Sequence, residues 1–211
     1  MIDRVRRALV LCAHTDDEFG CAGTIARLLD GGSEVHYVAL SRCEESVPAG
    51  FASDVLEREC RACTAALGID PGRVHVGRYP VRHFPAHRQE ILEEFVRMRR
   101  ELSPDLVLVP ASFDTHQDHH TVYEEGFRAF KHATILGYEL PQNLISFQHS
   151  AFVALDEPTL KRKVDALQRY ESQGFRTYSG EDFIRGLALV RGVQCGAPLA
   201  EAFEVVRLVV R

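Results

Sequence analysis

The chain has 211 residues, 45% hydrophobic and 26% charged, the composition of one globular domain spanning residues 1–211 and not of a disordered or fibrous chain. A net charge of −5 with no basic face argues against nucleic acid as a partner, and no apolar run approaches the roughly 20 residues of a membrane span. The opening Met-Ile-Asp-Arg-Val-Arg-Arg lacks the apolar stretch of a secretory signal, so a soluble, cytoplasmic protein with reduced cysteines is expected.

Residues 8–13, Ala-Leu-Val-Leu-Cys-Ala, form a continuous apolar run, the pattern of a strand buried on both faces of a parallel sheet. The next segment, rich in small and apolar residues, reads as a helix closed at Asp30-Gly31-Gly32. Residues 34–41 form a second strand and 42–52 a loop, and Ser53 caps a helix that Gly68 ends. Cys60 and Cys63 share a face of that helix. A single C-x-x-C without a second pair reads as packing, with a metal or redox pair as the alternative.

A short strand at 74–76 comes next, then a helix over 86–102 marked by Ile91, Phe95, Met98 and Leu102. A buried strand at 105–111, a polar loop at 112–120 and a helix over 121–133 follow. The remainder supplies a strand near 151–155, a helix from 158 to 173, another near 181–191 and a terminal strand at 202–210. This alternation predicts an α/β, Rossmann-like fold: a doubly wound, mainly parallel sheet of order 3-2-1-4, extended by the C-terminal strands.

Two polar clusters each follow a buried strand: His14-Thr15-Asp16-Asp17-Glu18 and His116-Gln117-Asp118-His119-His120. In the predicted order the first and fourth strands are neighbours whose connections leave toward opposite faces. The crevice at their carboxyl ends then collects both clusters. Imidazole plus carboxylate without thiolate is the ligand set of a catalytic zinc. His14 and Asp17, three residues apart across a helix start, reach one point, and His119 supplies the third ligand. The fourth position is left for a water that the ion acidifies. Asp16 stands beside it as general base. His116, held charged and oriented by Asp118, serves the oxyanion and the leaving amine. A plainer reading makes Asp16 and Asp17 helix caps and the histidines surface residues, but it leaves the acidic pair facing a histidine cluster unexplained. Glu18 is expected to hold backbone amides in the first helical turn.

Ala13-His14-Thr15-Asp16-Asp17-Glu18 resembles the A-H-P-D-D-E motif of the N-acetylglucosaminyl-phosphatidylinositol de-N-acetylase superfamily, also called LmbE-like deacetylases, and His116-Gln117-Asp118-His119 resembles its H-P-D-H motif. Residues 163–173 are similar to its K-x-x-A-L-x-x-Y-x-S-Q stretch and residues 200–204 to its A-E-x-F element. The resemblance implies Zn2+ on His14, Asp17 and His119, Asp16 as base, and His116 with Asp118 at the oxyanion and leaving group. It also implies substrate binding by Arg58, next to Glu59, and removal of the N-acetyl group from a small N-acetylglucosamine-type conjugate as acetate.

Thr15 and Gln117 replace the motif prolines, neither of which is a ligand. Long insertions after the fourth strand are missing, which leads to the expectation of an open pocket completed by a second subunit of a homo-oligomer. Two other readings remain: a zinc amidase for a different acyl or thiol-conjugate amide, and a non-catalytic sugar- or nucleotide-binding protein. Against the latter stands the lack of a G-x-G-x-x-G after the first strand. Arg42, Arg58, Arg78, Arg82 and His83 lie near the predicted carboxyl-end loops, as candidates for a substrate phosphate or carboxylate.

Overall fold

The computed structural model describes residues 2–210. Its strands are β1 (Arg7–Cys12), β2 (Glu34–Ala39), β3 (Val74–Val76), β4 (Leu106–Pro110), β5 (Thr134–Tyr138), β6 (Ala151–Leu155) and β7 (Leu199–Arg207). They form one sheet of order β3-β2-β1-β4-β5-β7-β6. Strands β1 to β5 pair in parallel, and β7 runs antiparallel to both β5 and β6. The expected doubly wound order is present, with the C-terminal strands extending it.

The helices are α1 (Ala22–Asp30), α2 (Val55–Leu67), α3 (Arg88–Leu102), α4 (Gln117–Ala129), α5 (Glu157–Leu167) and α6 (Glu181–Cys195). Alternation along the strands sorts the apolar side chains between two faces. Ala8, Val10 and Cys12 join a core with Ile25 of α1, Cys60 and Cys63 of α2, Leu160 of α5 and Ile184 of α6. Leu9, Leu11 and Val107 join the opposite core with Phe95 of α3 and Val122 of α4. Helices α1 and α4 thus lie on opposite faces, and the chain leaves β1 and β4 in opposite directions. That divergence opens the crevice. Cys60 and Cys63 are packing residues, and the six cysteines are free thiols.

One strand and three boundaries differ from expectation for tertiary reasons. Strand β5 was not foreseen: it is short, and Gly137 weakens its pattern. The glycine relieves crowding there, because a Cβ would stand 3.0 Å from the Ala111 Cα. Helix α4 begins at Gln117 rather than 121, since the ring Nδ1 of His116 accepts the Asp118 N–H at 3.2 Å and caps it. Helix α5 stops at Leu167 rather than 173, and the chain turns so that the Ser172 N–H and hydroxyl bond the buried Glu59 carboxylate at 2.8 and 2.5 Å. Strand β7 covers Leu199–Arg207 rather than 202–210, because its start pairs with β6, Leu155 facing Leu199.

The start of α1 is not capped by its own neighbours. Glu201 of β7 does this work: its carboxylate accepts the Gly23 N–H at 2.8 Å and the Thr24 N–H and hydroxyl at 2.6 Å each. Lys163 of α5 closes the network with a 2.7 Å ion pair, both partners buried. Glu201→Ala strips the helix end and leaves Lys163 charged and unpaired. It is expected to destabilise the fold by about 3–5 kcal/mol, read as a lowered urea midpoint. Lys163→Met should cost less, because three donors remain on the carboxylate.

Candidate active site

At the carboxyl ends of β1 and β4, His14 Nδ1, His119 Nε2 and Asp17 Oδ1 form a triangle with sides of 3.0, 3.2 and 3.7 Å. Donors at zinc distances of about 2.0–2.2 Å in a tetrahedron stand roughly 3.3–3.6 Å apart, so the triangle fits one tetrahedral face. The other polar atom of each side chain is anchored. His14 Nε2 bonds Asp118 Oδ2 at 3.1 Å, His119 Nδ1 bonds Asp114 Oδ2 at 2.7 Å, and Asp17 Oδ2 accepts the His14 N–H at 2.9 Å. Each histidine therefore has a carboxylate behind it that fixes the ring, the arrangement found behind metal-bound imidazoles.

Asp118 does not orient His116 through its carboxylate, as expected from the sequence. Besides His14, that group accepts the Arg82 and Phe84 N–H groups at 2.5 and 3.1 Å, while the Asp118 backbone N–H is what holds the His116 ring. Nor does the metal-free site favour a charge on His116. Burial, together with the neighbouring His14 and His119, lowers it to about 4. With Nδ1 accepting, the proton of the neutral ring sits on Nε2. His116 also offers a ring nitrogen within 4.8 Å of those of His14 and His119, an alternative third donor for a metal.

Burial works against charge on His119, but Asp17 and Asp114 overcome it and raise the ring to about 10. Asp17 is held well below the usual carboxylate range by the two histidines despite its burial. Asp16 goes the other way, raised by burial and by the charge of Asp17. It is half-buried, makes no capping hydrogen bond, and lines a cleft of about 430 Å³ with His14, Asp17, His116 and His119. Glu18 is held chiefly by side chains. It is fully buried between the hydroxyls of Tyr37 and Tyr170, 2.7 Å from each, and burial pushes it up to about 7.

Arg58 is not brought to this cleft. Its helix turns Glu59, Cys60 and Cys63 inward, which leaves Arg58 exposed and paired with Asp54 at 3.2 Å. The cleft arginines are Arg82 and Arg176. Sequence reading passed over Asp114 and Arg176. Their signals were an acid five residues before His119 in the loop leaving β4, and an arginine three residues past Gln173.

The PIG-L family, described as GlcNAc-PI de-N-acetylase, matches residues 9–130, from the first strand through both clusters. The chain belongs to this family. It is accordingly a deacetylase-family enzyme, a hydrolase acting on amides. The uncharacterised deacetylase YaiS of Escherichia coli (strain K12) is 27% identical over 175 residues, covering 78% of this chain and 90% of its own. The solved N,N'-diacetylchitobiose deacetylase from Pyrococcus horikoshii superposes with a TM-score of 0.79 at 19% identity, covering 96% of this chain and 84% of that one. GalB, a 4-carboxy-2-hydroxymuconate hydratase from Pseudomonas putida KT2440, reaches 0.79 at 20% identity over 98% of both chains. These two structures establish a shared fold, and the hydratase shows that this fold alone does not select the reaction. Among the described residues no helix is long and apolar enough to cross a membrane.

Two outcomes follow from the geometry. Asp114→Asn frees the His119 ring and is expected to weaken zinc binding by about 10–100-fold, measured by competition with a chelating dye. The second concerns pH. In the metal-free protein His119 is charged at neutrality, so zinc must expel its proton. Affinity should rise about tenfold per pH unit between pH 7 and 9, with protons released in calorimetry across buffers of different ionisation enthalpy. The same raised ring stabilises the metal-free fold fully below about pH 6.5, and that contribution is lost as pH climbs through about 10.

Proposed function

We propose that the protein is a zinc-dependent hydrolase that removes the N-acetyl group from an N-acetylglucosamine-type conjugate, releasing acetate and a free amine. The observation that carries this reading is the donor triangle of His14, Asp17 and His119, lying in one cleft with Asp16 and His116. The family description and the substrate in the name of the Pyrococcus relative both contain N-acetylglucosamine, which supports the sugar.

His14, Asp17 and His119 would hold the zinc, which would supply polarisation of the amide carbonyl and acidification of water. Asp16 takes the proton from the attacking water, its basicity raised by burial and by the charge of Asp17. Neutral His116 turns its Nε2–H to the carbonyl oxygen, a hydrogen bond that strengthens as negative charge develops there. The proton collected by Asp16 passes to the departing nitrogen, which leaves as the free amine. Asp118 serves two side chains at once, fixing His14 by its carboxylate and His116 by its backbone N–H.

Asp16→Asn keeps the size of the side chain and removes the base. Acetate release from a panel of N-acetylglucosamine conjugates is expected to fall by about 100-fold or more, with zinc stoichiometry unchanged. Full activity in this variant would contradict the assignment of Asp16.

A further inference from the structure

Two arginines line the cleft from separate segments: Arg82 in the loop between β3 and α3, and Arg176 in the loop between α5 and α6. Neither forms an ion pair among the described residues, whereas Arg42, Arg58, Arg185 and Arg191 each do. Both are nevertheless held. Arg82 donates from Nη2 to Ser46 Oγ at 3.1 Å, and Ser46 also lines the cleft. Its backbone is left-handed, φ 71°, with the N–H fixed on Asp118. Arg176 donates from Nε to Gln173 Oε1 at 2.6 Å and lies over the rings of Phe175 and Tyr178, 5.4 and 5.7 Å from their centres.

A guanidinium has five N–H donors, and these bonds use few of them. Of the acids lining the cleft, Asp17 is tied to the two histidines, which leaves Asp16 alone to offset two positive charges. A neutral sugar would leave both forks without an anionic acceptor. A phosphate or carboxylate, whose oxygens match the planar fork, would satisfy them. We propose that the substrate carries such an oxyanion on the group attached to the amino sugar, and that Arg82 and Arg176 bind it. This rests on the deacetylase reading above.

The test compares three glycosides of N-acetylglucosamine of the same anomeric form: the 1-phosphate, the carboxymethyl glycoside and the neutral methyl glycoside. With the zinc-loaded protein, kcat/KM for one charged compound should exceed that of the neutral one by about tenfold or more. That preference should fall to near unity in the double variant Arg82→Gln, Arg176→Gln. Whether phosphate or carboxylate is preferred identifies the group. Calorimetric titration of the same compounds into the Asp16→Asn protein supplies a readout independent of turnover. Equal kcat/KM for all three compounds, or a preference that survives the double variant, overturns the oxyanion site and leaves the deacetylase reading standing. Tighter binding of a charged compound without acetate release from any of them supports the oxyanion site and contradicts the deacetylase reading.

Discussion

Three side chains from two segments 100 residues apart must bring their donor atoms within 3.7 Å of one another in a buried place. Without a cation, that convergence buries two imidazoles and a carboxylate together at a high desolvation cost. The cluster persists because every polar atom in it is tied down. Asp118 and Asp114 hold the far sides of the two rings, and the His14 N–H holds the second oxygen of Asp17. Arg82 and Phe84 in turn hold Asp118 through their backbone N–H groups. The site is thus specified from the β3–α3 loop and from the start of α4 as well as from β1.

The same constraint explains the buried acids farther out. Glu18 is clamped between Tyr37 of β2 and Tyr170 after α5, Glu59 of α2 receives Ser172, and Glu204 of β7 accepts the Ser112 N–H and hydroxyl at 2.8 and 2.7 Å. Each bond ties a segment that carries a cleft residue to the sheet or to a helix packed against it. Ser172 precedes Gln173 at the cleft wall, and Ser112 begins the loop that holds Asp114 and His116. Buried acids of this kind add little net stability, because desolvation offsets much of the attraction. Their effect is positional.

Much of this was legible in the sequence, for identifiable reasons. Continuous apolar runs at 8–13 and 106–111 mark doubly buried strands, and the topology rule then makes them neighbours, so that the meeting of His14, Asp17 and His119 follows from order alone. Other features depend on contacts that no local pattern encodes. Asp118 bonds a histidine 104 residues away instead of its sequence neighbour. Arg58 and Arg176 look equally plausible as sequence. Only the turn of α2, which points Glu59 inward, and the early end of α5, which carries Arg176 to the cleft, separate the surface residue from the lining one.

The central claim is that His14, Asp17 and His119 hold the metal while His116 stays free to meet the substrate oxygen. The most direct measurement is a crystal structure of the zinc-loaded protein with anomalous data collected at the zinc edge. The account predicts one ion about 2.0–2.2 Å from His14 Nδ1, Asp17 Oδ1 and His119 Nε2, with the His116 ring still accepting the Asp118 N–H. An ion held by His14, His116 and His119, with Asp17 outside its shell, would contradict it.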